Sequence, residues 1–175
     1  MVVVSVSLLS AHDMFFRLQD YFVAPGTAMK IPLLNGTFSS SANSIAWTRV
    51  LDLSVSGPAG RQKKDSASWD THGDTSYLSY TPATAGTYVV GLSTAPNELD
   101  MTAEEFNKYL ADDGIPDILA LRKANGSLGA KARERYHKHV KGIFQVGDAR
   151  TDTWKKALGY PAERVPTTNP YDAKR

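Results

Sequence analysis

Four histidines and one neighbouring carboxylate carry most of the chemistry that this sequence offers. His12 stands directly before Asp13. If the chain is cut after Ala11, His12 becomes a free terminus. Its amine and ring Nδ1 then chelate one ion in a single ring, an arrangement suited to Cu(II) or Ni(II). Asp13 adds a carboxylate oxygen, and His72, between Asp70 and Asp74, is a further ligand from a distant part of the chain. His137 and His139 are two apart, so on a strand their imidazoles share one face and can reach one ion. Their companions Arg135 and Lys141 repel a cation, however, and the pair reads as a solvated polar face. The metal candidates are therefore His12, Asp13 and His72.

Other chemistry is sparse. The sequence has no cysteine, which excludes disulfides, thiolate metal sites and cysteine nucleophiles. It has no G-x-S-x-G, no phosphate loop and no H-E-x-x-H. Asp112-Asp113 and Glu104-Glu105 are adjacent on or near a helix, so their carboxylates diverge and cannot flank a substrate bond. The expectation is a non-enzymatic protein with no catalytic residues. A basic run from Lys131 to Lys141 is interrupted by Glu134 and offers only Tyr136 for stacking. With a net charge of +2 over the chain, no nucleic-acid partner is expected.

Export is suggested by residues 1–11, MVVVSVSLLSA, an apolar run ending in small residues like the core and cleavage region of a signal peptide. No Lys or Arg precedes Arg17, and Leu9 stands where such cleavage sites favour Ala, so a first strand is the other reading. The run is shorter than the roughly 20 apolar residues that span a bilayer. A periplasmic or secreted location follows from the signal reading.

The elements that must position these residues are mostly strands. At 175 residues, with 42% hydrophobic and 22% charged residues, the chain suits one domain with a real core. Thr81 to Leu92 begins with turn residues and runs into a strand with apolar residues on both faces, the pattern of a central strand. Its Gly-x-Tyr entry, Gly86 to Tyr88, matches the tyrosine corner of immunoglobulin-like sandwiches. Extended segments are expected from His12 to Leu18, with Met14, Phe16 and Leu18 on one side, and over 27–34, where Pro32 implies a sheet edge or bulge. Over 47–55, Leu51, Leu53 and Val55 alternate inward against Asp52, Ser54 and Ser56. Strands are also expected over 62–69, 75–80 and 140–146, with Val140, Phe144 and Val146 inward. Thr102 with Glu105 forms a capping box, and Gly114 ends that helix. A second short helix begins at Pro116 and a charged third spans Leu128 to about Tyr136. The fold class is mainly β, an immunoglobulin-like antiparallel β-sandwich over 12–165 with a helical insertion around 98–138. Residues 166–175 have linker composition, as if leading to a second β module.

Several pieces in this order resemble a known family: Ala11-His12-Asp13, AGTYVV over 85–90, Phe106 to Gly114, RERYHKHVKGIFQVGD over 133–148 and LGYPAERVPTTNPYD over 158–172. Together they resemble a bacterial periplasmic family of unknown function that has carried the label of a nickel-transport-complex subunit. The resemblance implies export, β-sandwich modules, and a part in uptake of nickel or a similar metal beside membrane transporter components. That family has Ser and an aromatic where His137 and His139 stand, so it implies no metal role for the pair. The function expected is an exported protein that binds or hands over nickel or copper. The rival readings are an N-terminal histidine-brace copper enzyme and a structural sandwich without a ligand.

Overall fold

The corner at residues 84–88 closes as the Gly-x-Tyr pattern predicts. The Tyr88 hydroxyl donates to the Thr84 carbonyl at 2.7 Å, and the buried ring stacks on Phe144. Gly57 makes room for that ring, since a Cβ there would lie 2.3 Å from it.

The structure, a computed structural model, describes residues 13–172. In chain order the strands are β1 Asp13–Phe16, β2 Phe22–Val23, β3 Met29–Gly36, β4 Val50–Gly57, β5 Gly60–Lys63, β6 Trp69–His72, β7 Thr75–Tyr80, β8 Gly86–Thr94 and β9 Asn97–Met101. Helices α1 Ala103–Asp112 and α2 Pro116–Ala124 follow, then β10 Ala132–Tyr136 and β11 His139–Val146. The described chain divides into two compact units, residues 13–95 with 137–172, and residues 96–136.

The larger unit is the expected sandwich, antiparallel except where the short β2 runs parallel to β11. One sheet runs β1-β3-β7-β6 and the other β2-β11-β8-β4-β5. Ile31, Leu33 and Leu78 of the first meet Leu53, Val55, Val90, Leu92 and Phe144 of the second in one buried cluster. Each fully buried side chain of this kind contributes roughly 1.5–3 kcal/mol. β8 lies between β11 and β4 and is buried along its whole length, which places it centrally as its two apolar faces imply.

The pattern over 47–55 holds only from Leu53 onward. The β4–β8 register shifts between Val50 and Asp52, leaving Leu51 as an extra residue that is 64% exposed. Ser54 and Ser56, expected outward, are buried. The C-terminal segment explains this by crossing the outer face of the second sheet. Leu158 and Tyr160 pack so close to Gly91 that a Cβ there would lie 2.1 Å from Leu158 Cδ1. The part of the expected 166–175 linker that the structure describes is docked at Asn169 and Tyr171. Asn169 is buried with its amide 3.3 Å from Thr87 Oγ1, and the Tyr171 hydroxyl donates to the Ile143 carbonyl at 2.5 Å. Pro32 lies within an internal strand. Its carbonyl accepts from the Arg17 amide just past the end of β1, so its ring sits where that pairing stops. The polar stretch 62–69 is split between β5, a short turn of 3-10 helix at Ser66–Ser68, and β6.

The smaller unit carries the two expected helices, framed by a β9–β10 ribbon. Thr102 Oγ1 accepts from the Glu105 amide and Glu105 accepts from the Thr102 amide, which completes the capping box. The helix expected from Leu128 is a strand instead. Ala-Arg-Glu-Arg-Tyr alternates with period two, and Arg133 pairs with Asp100 at 2.6 Å across the ribbon. Among the described residues no helix is long and apolar enough to cross a membrane.

Candidate functional site

The chain reaches chemistry along one side of the sandwich. β11 is paired with β8 over its full length but with β2 only at Gln145 and Val146, so its N-terminal half forms an open sheet edge. Beside that edge lies a groove of about 940 Å³, bordered by Asp13 and Phe15 of β1, His139 and Ile143 of β11, and Tyr160 and Glu163 of the C-terminal segment.

Strand alternation decides which β11 side chains face where. Val140, Phe144 and Val146 enter the core, so His139 and Lys141 take the other face, beneath the C-terminal segment. His139 is half-buried there. Its Nδ1 lies 3.0 Å from Ser93 Oγ, and its ring is stacked between His137 and Tyr160 at centroid distances of 5.9 and 5.7 Å. The Arg61 guanidinium lies 5.9 Å from the Tyr160 ring centroid. The solvated polar face expected for the histidines is therefore a packed one at His139, while His137 is exposed.

Two ionic clusters hold the covering segment in place. Lys141 pairs with Glu163 at 2.9 Å, with side chains 11% and 8% exposed, and Glu163 also accepts from the Leu158 and Tyr160 amides at 2.8 Å. Burial opposes the Glu163 charge, but the Leu158 amide, Lys141 and the Tyr160 amide outweigh it and lower the carboxyl to about 2. On β4, Asp52 accepts from the Tyr160 hydroxyl and from Arg61, each at 2.6 Å. Burial raises the Asp52 carboxyl, yet bonds from Tyr160, Arg61 and Ser54 leave it below its ordinary value. Burial and the bond to Asp52 push the Tyr160 hydroxyl well above its own.

Of the three expected metal residues, the two that the structure describes, Asp13 and His72, do not converge. Asp13 is exposed at the start of β1 and lines the groove, whereas His72 ends β6 on the opposite edge of the same sheet. Three strand spacings separate β1 from β6, roughly 14 Å, too far for a shared ion with bonds of about 2 Å. His72 therefore cannot join a site at Asp13. His12 and the export reading over 1–11 lie outside the described residues. No set of three His, Asp or Glu side chains among the described residues can hold an ion. In the sequence Arg135 and Lys141 argue against His139, and the residues that pack on it, Ser93 and Tyr160, lie more than twenty positions away. Tyr160 and Glu163, in the GYPAE stretch, carried no signal beyond their place in the family resemblance.

A family model described as Domain of unknown function (DUF4198) matches residues 9–175. No curated protein and no solved structure matches the chain.

Proposed function

This chain belongs to the DUF4198 family, and from that premise we propose that it is an exported, non-enzymatic β-sandwich protein that binds or hands over a divalent transition ion, nickel or copper. The site is the groove beside β1, and the protein acts beside a membrane metal transporter. The observation that carries this reading is the position of Asp13. Its exposed carboxylate borders the same groove as His139, one residue after the proposed terminal histidine. Carboxylate and imidazole suit such an ion in kind. Two donors are too few, so His12 supplies the remaining nitrogens through its ring and freed amine. The nickel-transport label of the family that the sequence resembles points the same way. His72 has no part in this site.

Calorimetric titration with Ni(II), Cu(II) and Zn(II) tests the reading, using protein shown by mass spectrometry to begin at His12. Binding near one equivalent is expected, weakened when Asp13 is replaced by Ala. No heat with any of the three ions would leave a sandwich without a metal role. Copper-dependent oxidation of a reductant by the loaded protein would instead favour the histidine-brace enzyme, for which His139 is the second imidazole on the groove.

A further inference from the structure

We propose that His137 and His139 are the imidazole ligands of the ion, a role that the family match does not assign to them and that their basic neighbours in the sequence argue against. The inference rests on the reading above that the groove takes a transition metal. Three observations converge on the pair. The rings lie side by side at 5.9 Å with planes 23° apart, the relation of two imidazoles on one face of an extended chain. The inner ring is already oriented. Ser93 Oγ engages His139 Nδ1 at 3.0 Å and Tyr160 backs the ring, leaving Nε2 for an ion; metal-bound histidines are commonly held through their other nitrogen in this way.

The third observation concerns charge. Lys141 shares the His139 face and would repel a cation, but its ammonium is paired with Glu163 and donates also to the Lys156 carbonyl. The Lys141 part of the repulsion that argues against the pair in the sequence is thus met in the fold by Glu163. A shared ion at about 2.1 Å from each nitrogen needs the two nitrogens roughly 3.4 Å apart. His137 is exposed and can turn its ring toward the fixed His139 to meet that distance. Remaining positions go to water.

The test uses the full chain in two forms, one beginning at His12 and one with a single residue retained before it, titrated with CuCl₂, NiCl₂ and ZnCl₂. Each form carries either the native pair, His137→Ala, His139→Ala or Ser93→Ala, with circular dichroism confirming the fold. Both histidine variants are expected to weaken binding by more than about tenfold and to reduce the nitrogen coupling in the paramagnetic resonance spectrum of the Cu(II) form. Ser93→Ala, which only frees the ring, is expected to cost about tenfold. Loss of binding on replacing the histidines supports the inference in either form of the terminus. Folded variants that bind as the native pair does, with binding lost only on blocking the His12 amine, would overturn it while leaving the N-terminal site intact. Absence of binding by every protein would overturn both.

Discussion

Replacing Glu163 by Gln asks whether the C-terminal segment is held to the sandwich by charge. The carboxylate is buried, pairs with Lys141, and accepts two backbone amides. Its pKa falls from an ordinary 4.5 to about 2. At about 1.4 kcal/mol per pH unit, that fall comes to about 3 kcal/mol of folding stability. Glutamine still offers an oxygen to an amide but leaves Lys141 a buried cation without its partner, which is costly on the same scale. The sign follows from linkage. A depressed carboxyl contributes fully above its unfolded value of 4.5, and the contribution drains away as pH falls toward 2. Urea denaturation of both proteins at several pH values reads this directly. The variant is expected to be about 3 kcal/mol less stable at pH 7, equivalent to roughly 6–12 °C in Tm for a chain of this size. The gap should narrow steadily below pH 4.5. A gap that stays constant down to pH 3, or one below about 0.5 kcal/mol at pH 7, would refute the reasoning.

Three further substitutions probe the rest of the framework. Tyr88→Phe removes the hydroxyl bonded to Thr84 but keeps the ring, and should cost about 1 kcal/mol by thermal denaturation; no loss would mean the corner is held by packing alone. Gly91→Ala forces a methyl against Leu158 and Tyr160, so destabilisation of about 1–3 kcal/mol is expected, with raised amide exchange along 157–163. Unchanged exchange there would show that the segment yields without loosening. Thr102→Ala breaks the capping box and should cost about 1 kcal/mol, seen as faster exchange at the start of α1 while β8 amides keep their protection.

The core of the sandwich was legible because its signals are local. A tyrosine beside a turn, a strand apolar on both faces, and a Thr-x-x-Glu start to a helix each need only a few neighbouring residues to be read. What escaped depends on distant partners. Ser54 and Ser56 look solvent-facing until a segment some hundred residues later lies over them, and Leu51 breaks its own alternation because one residue is bulged from the ladder. The strand at Ala132–Tyr136 reads as helix in the sequence because charged residues dominate it, and its cross-strand partners Glu98 and Asp100 lie over thirty positions earlier. The site suffered likewise. Asp13 lines the groove, but His72, which stands between two acidic residues in the sequence, belongs to the far edge of the sheet. His139 reads as part of a solvated face beside Arg135 and Lys141, and the Lys141 charge is met only in three dimensions.

The covering of the second sheet by residues 152–171 also bears on the order in which the molecule assembles. Asp52 waits for Tyr160 across 108 positions, Arg61 for the Leu158 carbonyl across 97, and Thr87 for Asn169 across 82. Closing such long loops comes after nearby strands have zipped together. During synthesis or refolding, the back of the central strand therefore stays wet until residues 152–171 arrive, and an early-formed sandwich exposes a polar flank that this segment dries.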